Sequence, residues 1–462
     1  MSSSPRSPSR RAVLAAMLAA SAGPSVRAAL PSDPDVVIVG AGAAGIAAAR
    51  TLMAAGKSVV ILEAAARIGG RAFTESARLG LPFDHGCAWL QGPDDLALTE
   101  LARERGYTLV DHSDPSEAVY VGDRRATVSE RRAYWSTYGK IEDALEDADD
   151  RDVPAASVIP PGLDWTGTVQ SWIGAMDHGV DFVDLSTADF NAYEEYDTDY
   201  LLAEGLGTLV AEAGQGLPVK LSTPVTGIDW SGDGVAVETA AGTLRARACI
   251  VTVSTGVLRS GAIRFAPALP GETAEAVDTL PMGLLTKIAL RTDGESFGLS
   301  ENAWLAYKVP SEMPAEAAFF LTRPFGQPLL VGFVGGAFGW ELSRAGADAA
   351  IEFATGELVS MLGSDVRKHL TGGLMTDWAT NPHTLGAYTA AEPGHFAARA
   401  RLAAPVGGRI FFAGEAVGGG FMSLCSGAWL SGEATARAVA ATIDRHCNTC
   451  GPKRGPIGGA TE

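Results

Sequence analysis

A mixed α/β fold, in which two folding units interrupt each other along the chain, is predicted by three features of the sequence. The first is a strand–helix–strand pattern. Asp35 to Val39 is a β-branched run, Ala43 to Ala55 is alanine-rich and helical with Gly56 as its stop, and Ser58 to Leu62 is a second apolar run. The second is sheet-like alternation from Val235 to Val253, with a turn at Ala241-Gly242. The third is a strand from Arg409 to Ala413 followed by a small-residue helix from about Gly427 to Arg445. Between these lie a Trp-, Tyr- and acid-rich stretch from about Asp111 to Tyr200, broken at Pro160-Pro161, and a helix-rich segment from Ala347 to Leu370.

With 462 residues, 47% of them hydrophobic, the chain is long enough for a large core and two domains. A formal charge of −18, without clustered Lys or Arg, argues against nucleic acid and for cations as ligands. Five scattered cysteines do not make a disulfide framework. Only Cys447 and Cys450 are closely spaced, and they read as an incidental or locally bridged tail. At the start, Ser9-Arg10-Arg11 opens a basic region, Ala12 to Ala20 is apolar, and Val26-Arg27-Ala28 ends in small residues. This predicts a twin-arginine signal over residues 1-29 and a periplasmic or secreted protein, exported folded. The apolar run is too short to span a bilayer, which takes about 20 residues. Cleavage after Ala28 removes Arg6, Arg10, Arg11 and Arg27 and no acid, taking the charge from −18 to −22.

The first strand and helix are joined by Gly40-Ala-Gly42-Ala-Ala44-Gly45, the context that a dinucleotide fingerprint requires. Gly40 makes the tight turn, Gly42 admits backbone N–H groups to a pyrophosphate, and Gly45 lets helix and strand pack closely. The helix N-terminus then faces the anion. Glu63, at the end of the second strand, is placed to accept hydrogen bonds from ribose hydroxyls. Arg67-Ile-Gly69-Gly70-Arg71 forms a second glycine-rich turn within reach of the same pyrophosphate, closed by a guanidinium that can bind it. NAD and FAD both fit the first turn; the second favours FAD.

Five further stretches carry a resemblance. "EAAARIGGRAFT", "FDHGCAWLQG" (Phe83 to Gly92), "CIVTVSTGVLRSGAIRFAPALP" (Cys249 to Pro270), "WATNPHTLGAY" (Trp378 to Tyr388) and "RIFFAGEA…SGAWLSGEATA" (Arg409 to Ala436) resemble, in order, the signatures of the flavin-containing amine oxidase family, which includes monoamine and polyamine oxidases. The resemblance implies a Rossmann-like FAD-binding domain built from residues 33-112, 203-288 and 400-446. A substrate domain of sheet and helices, 113-202 and 289-399, is inserted into it, and 447-462 is left as a tail. It also implies that Val225 meets the adenine through its backbone, that Glu415 binds the ribitol side with Gly414-Glu415 turning backbone donors toward phosphate, and that Ala88 and Trp89 line the flavin. The arginine that often follows the ribose acid by two residues is here Ala65.

In that family an amine loses a hydride equivalent from the carbon next to nitrogen to flavin N5, and water hydrolyses the imine to a carbonyl. Lys287 aligns with the lysine held near N5 through a water. Its strand pattern alone reads as a solvated lysine, opposite Leu284, Thr286, Ile288 and Leu290. Trp378 aligns with the tryptophan packed on the flavin, and Tyr388 with one wall of the aromatic substrate cage; large aromatics more often simply pack in cores. The other cage wall is Leu424, the position that is acidic in some polyamine oxidases is Gln91, and the residue where flavin is attached covalently is Ala387. FAD held without a covalent bond and a monoamine substrate, primary or secondary, are therefore expected. Only the acidic tract Glu194, Glu195, Asp197 and Asp199 argues for a polyamine. His85 and His383 have no nucleophile to pair with, and metal-ligand spacings are absent.

Electrons would pass to O2 or to a basic cytochrome, and a homodimer stays open. Competing readings on the same scaffold are L-amino acid oxidation, desaturation of an apolar substrate, against which Lys287 and the Trp378 to Tyr388 motif argue, and a flavin-binding scaffold without catalysis.

Overall fold

The structure is a computed structural model and describes residues 33–449 apart from 149, 195, 197, 311 and 312. The expected export signal, the pairing of Cys447 with Cys450, and Glu195 and Asp197 of the acidic tract lie outside the described residues.

The two β-branched runs become the strands Val36–Val39 and Val59–Leu62. They belong to a five-stranded sheet in the order Val219–Lys220, Val59–Leu62, Val36–Val39, Ala248–Val251, Ile410–Phe412. All pairings are parallel. Along the chain this is the order 3-2-1-4-5, which reverses between Val36–Val39 and Ala248–Val251. Open parallel sheets bind ligands outside their carboxyl ends at such a reversal.

Side-chain alternation gives both faces of this sheet an apolar partner, as continuous hydrophobic strands require. Ile38, Ile61 and Ile250 pack with Leu52 of the helix Ala43–Ala54 and with Val439 and Ile443 of the helix Cys425–Thr449. A β-carbon on Gly432 would lie 2.2 Å from the Ala44 carbonyl, so the two helices meet backbone to backbone. Val37, Val60, Cys249 and Val251 face Ile228, Val235 and Val237 of a four-stranded sheet. The alternation between Val235 and Val253 divides here. Val235–Thr239 and Gly242–Ala246 form the expected hairpin. The chain then crosses over, with the N–H groups of Arg247 and Ala248 donating to the Asp35 carbonyl, and Ala248–Val251 joins the parallel sheet.

The second large sheet has seven strands, in the order Leu370–Met375, Leu285–Thr292, Leu329–Gly335, Phe319–Thr322, Ala303–Tyr307, Glu117–Val121, Arg124–Arg125. Leu285–Thr292 runs across the domain border expected at 288 and pairs only within this sheet. One face, with Ile288, Leu290 and Phe320, packs on Ala350, Ala354 and Leu358 of the helix Ala347–Leu362. That helix stops at Gly363 rather than continuing to Leu370, and Val366–His369 is a separate turn. The other face carries Ala289, Phe319 and Phe333 toward Trp89, Trp172 and Trp304.

Two short pairings join the sheets. Trp89–Gln91 runs antiparallel to Asp199–Leu202, with Gln91 opposite Asp199. Met282–Gly283 pairs with Tyr388–Thr389. Beside them a buried pair, Arg399 and Asp189, is bidentate at 2.6 and 2.8 Å. No helix among the described residues is long and apolar enough to cross a membrane.

Candidate active site

A continuous cavity of about 1060 Å³ begins at the carboxyl ends of the parallel strands and runs between the two large sheets. It exceeds the roughly 300–1,000 Å³ of most small-molecule sites, which suits an extended cofactor and a substrate end to end.

The first glycine turn forms its floor. Gly40 has φ +105°, and a β-carbon on Gly45 would lie 2.0 Å from the Gly40 carbonyl oxygen, so no side chain fits there. The helix Ala43–Ala54 starts at Gly42 with no side-chain cap. Its first intrahelical bond is Ile46 N–H to Gly42 O, so the amides before it are not used by the helix. Gly42, Ala43 and Ala44 line the cavity. The second turn docks onto the first: Gly69 N–H donates to Ala41 O at 2.8 Å, and Gly42 bridges Gly69. Glu63 is buried, and its two oxygens accept the N–H groups of Ala41 and Ala65, each at 2.7 Å. A carboxylate retains further acceptor sites, and Glu63 lines the cavity. Val225 lies beside it, the Thr223 N–H bonding to Glu63 O at 2.8 Å. This glycine cradle, uncapped helix terminus and acceptor carboxylate fit a dinucleotide such as FAD.

The charged groups at this end also make contacts within the protein. Arg71 Nη1 donates to the Ala387 carbonyl and to Glu415 Oε1, both at 2.8 Å. Arg67 is tied to the Ile68 and Gly70 carbonyls and covers the Phe73 ring at 3.9 Å. Glu415 likewise has both oxygens engaged, Oε2 accepting from the hydroxyl and N–H of Thr389 at 2.6 and 3.2 Å. The Gly414 N–H donates to Ser431 Oγ rather than into the cavity. Gly70, Arg67, Arg71, Gly414 and Glu415 still border the cavity. Arg71 and Glu415 thus hold the second glycine turn at the rim of the cavity, and, like Glu63, Glu415 retains further acceptor sites.

Lys287 is buried, and its Nζ donates to the carbonyls of Asp84 and Gly86. The strand pattern suggested a solvated lysine because alternation cannot reveal that Leu285–Thr292 is an interior strand covered on both faces. Of the three Nζ donors two are taken by those carbonyls, and Lys287 lines the cavity. Burial lowers its pKa to about 8, opposed by the charges of Asp84 and Cys87. Trp89 and Phe333 lie within 6 Å of the ammonium, at 5.7 and 5.5 Å. Trp378 is buried, and its Nε1 donates to the His85 carbonyl at 2.8 Å. The ring of His85 is packed between Phe73 and Phe83, and burial pushes its pKa down to about 4, consistent with a neutral packing role.

Tyr388 Oη donates to the Met176 carbonyl at 2.9 Å, and Leu424 and Ala88 border the same space. Aromatic rings beyond Tyr388 also line this space. Trp172, Trp304 and Phe333 form a connected aromatic wall, with Trp304 centred 5.2 Å from Trp172 and 5.5 Å from Phe333. Gln91 donates to Tyr196 Oη at 2.9 Å and stands opposite Asp199.

Sequence reasoning missed Asp177. It sits in the π-helical segment Ser171–His178, directly after the residue that receives the Tyr388 hydroxyl. Protein surrounds it while its side chain stays open to the cavity. Burial, and then the charge of Asp199, push its pKa up to about 8, and burial raises Asp199 to about 6. Asp199 Oδ1 is buried without a hydrogen-bond partner. Glu142, Glu146 and Glu194 complete an acidic end. Among the described residues the Lys and Arg that line the cavity are Arg67 and Arg71, in the second glycine turn, and Lys287. The acidic tract holding Glu194 and Asp199 was one sequence signal of the acidic end, and the spacing of Glu142 and Glu146, like charges four residues apart on one helix, is another.

Fold and cavity together fit an enzyme that holds a dinucleotide cofactor and a small-molecule substrate in one continuous space. The family model for flavin-containing amine oxidoreductases matches residues 43–177 and 179–440. The chain belongs to that family and is an FAD-dependent amine oxidoreductase. It is 29% identical over 456 residues to polyamine oxidase 4 of Oryza sativa subsp. japonica, covering 89% of this chain and 90% of the relative. Among solved structures, cyclohexylamine oxidase from Brevibacterium oxydans IH-35A superposes with a TM-score of 0.74 at 24% identity, over 89% of this chain and all of that one. A redesigned putrescine oxidase superposes with a TM-score of 0.72 at 22% identity, over 88% of this chain and 99% of that one.

Proposed function

We propose that this enzyme oxidises an amine that carries a second positive charge, a diamine or polyamine, at a carbon next to one nitrogen. The observation that carries this is the set of carboxylates lining the cavity, Asp177, Asp199, Glu142, Glu146 and Glu194, which make no ion pair among the described residues. Gln91, the basis for expecting a monoamine, loses its weight because the strand pairing places Asp199 opposite it. Of the similar proteins, polyamine oxidase and putrescine oxidase carry names that agree with this reading, and cyclohexylamine oxidase carries one that fits a monoamine.

FAD, when bound, supplies the electron-accepting chemistry. The chain's residues do the rest. The amides at the start of Ala43–Ala54 and the Glu63 carboxylate hold the two ends of a nucleotide. Ala387 offers no nucleophile, so we propose that FAD is held without a covalent bond; acid precipitation then leaves the yellow colour in the supernatant, and colour in the pellet would contradict it.

Tyr388, Trp304 and Phe333 give the substrate's carbon chain apolar contact and exclude water. Lys287 Nζ, with a pKa near 8, exchanges a proton in the neutral range and so suits receiving the one that an ammonium sheds to become a neutral amine. Lys287→Met is expected to leave the protein yellow and to slow its reduction by substrate about 10²- to 10⁴-fold, the usual contribution of a positioned base, measured by stopped flow. A rate within a factor of two of the original would return Lys287 to a purely structural role.

Asp177 must lose its proton to pair with the distal ammonium. With a pKa raised to about 8, its carboxyl is protonated and weakly binding below that pH and ionised above it. The ratio of kcat/KM for spermidine to that for phenethylamine should therefore rise with pH up to about 8 and then level. Asp177→Asn should lower the ratio about 10- to 100-fold, as a charge-assisted hydrogen bond of about 1.5–3 kcal/mol implies, and abolish the rise. A ratio below one in the original enzyme, unchanged by the substitution, would favour the monoamine reading.

A further inference from the structure

His112 is buried at the edge of the cavity and ties together two strands that lie far apart in the chain. Its Nδ1 lies 3.2 Å from Trp89 Nε1, and its Nε2 lies 3.0 Å from the Asn302 carbonyl oxygen. An indole N–H can only donate and a carbonyl can only accept, so one neutral tautomer satisfies both bonds. In it Nδ1 accepts from Trp89 and the Nε2–H donates to Asn302. Burial lowers the pKa of His112, against the opposing pull of the Asn302 carbonyl and of Asp111, which favours that neutral form. Asn302 stands immediately before the strand Ala303–Tyr307, which carries Trp304. The rings of Trp89 and Trp304 are stacked, with centroids 5.9 Å apart and planes at 20°. Trp89, His112, Asn302 and Trp304 therefore close a loop of contacts in which the histidine fixes one indole relative to the other. The backbone of His112 is anchored in turn. Its N–H donates to the Asp199 carbonyl at 2.8 Å, and the Asp199 N–H donates to Ser113 Oγ at 3.0 Å.

The ring held in this way bears on the reaction from two sides. Trp89 is centred 5.7 Å from Lys287 Nζ, and with Trp304 and Phe333 it lines the cavity. An indole N–H that loses its acceptor in a half-buried setting turns toward water, because a polar group left unpaired there is costly. We propose that His112 is a positioning residue for amine oxidation: through the Trp89 indole it holds the aromatic wall beside Lys287 in the shape along which the amine's carbon chain aligns for reaction. This rests on the path given above to that chain, along Trp304 and Phe333, and it holds for a monoamine and a polyamine alike.

The test compares His112→Asn, His112→Phe and Trp89→Phe with the wild-type holoenzyme. Asparagine offers a carbonyl oxygen near the place of Nδ1, whereas phenylalanine keeps a ring and removes the acceptor. Near-UV circular dichroism reads the Trp89–Trp304 stack without substrate. Anaerobic stopped flow with spermidine and with phenethylamine reads the limiting rate constant of flavin reduction. That constant belongs to the folded enzyme alone, so a merely structural role would lower Tm or the amplitude and leave the constant unchanged. Expected for His112→Phe are an altered near-UV spectrum and a limiting rate lowered about 10-fold, since misplacing a reacting group by about 1 Å costs about 10²-fold. His112→Asn should bring both back toward wild type. Trp89→Phe removes the same bond from the other side, so it should reproduce the loss of rate even where His112→Phe fails to fold. Adding His112→Phe to Trp89→Phe should cost less than about twofold more, because the two residues act through one contact. A His112→Phe enzyme with the wild-type spectrum and rate, or a defect that His112→Asn shares in full, would overturn the proposal. Wild-type enzyme that neither amine reduces would count against the substrate reading instead, and the near-UV spectra would still decide the role of His112.

Discussion

The active-site geometry depends on one buried chain of charged and polar contacts centred on Glu415. Arg71, from the second glycine turn, binds one oxygen of Glu415, and Thr389 binds the other. Arg399 then donates to the Thr389 hydroxyl and carbonyl and to Ala416 O, and closes on Asp189 with both arms. The chain thus links the cofactor turn, the strand that carries Tyr388 and the helix Thr187–Asn191 on the substrate side. Removing one member would leave a buried charge uncompensated, which costs about 3–5 kcal/mol. The consequence is positional: Tyr388 cannot shift without disturbing Thr389, and through its hydroxyl it fixes the carbonyl that precedes Asp177.

From that joint the cavity acquires its polarity. Backbone amides and Lys287 line the end that fits a dinucleotide, while Asp177, Asp199, Glu142, Glu146 and Glu194, which make no ion pair among the described residues, also line the cavity. Burial raises Asp177 and Asp199 above the usual carboxylate range, so the site holds protons that a bound cation can displace. Between the two ends, Trp172, Trp304 and Phe333 form an apolar stretch of fixed shape. On the proposed diamine or polyamine reading, the substrate would span this stretch, and the distance between its charges would set selection.

How legible these features were in the sequence follows from how local their causes are. Gly40, Gly42 and Gly45 could be read because a turn that excludes side chains dictates residue type at fixed spacing, and both strands and the intervening helix fell within a residue of their observed ends. The Val235 to Val253 alternation was read as sheet, but nothing local marks Arg247 as the point where the chain changes sheets. Lys287 looked solvated because alternation does not tell an interior strand from an edge. Arg71 and Glu415 were each read toward the cofactor; that they also bind one another is not visible in one sequence. Asp177 carried no signal, because its setting is made by Tyr388 and Asp199, which reach it only through the fold. The monoamine expectation rested on Tyr388, Leu424 and Gln91; that Asp199 stands opposite Gln91 follows from cross-strand pairing, which neither strand's sequence shows alone.

The central claim, that an amine spanning this cavity delivers electrons to a flavin held by the glycine turns, is tested most directly by mixing the purified yellow protein with spermidine, putrescine and phenethylamine under anaerobic conditions and following the flavin absorbance. The account predicts that the polyamine and diamine bleach the flavin, at lower concentration than phenethylamine. A flavin that stays yellow with all three amines, or that only phenethylamine bleaches, would contradict it.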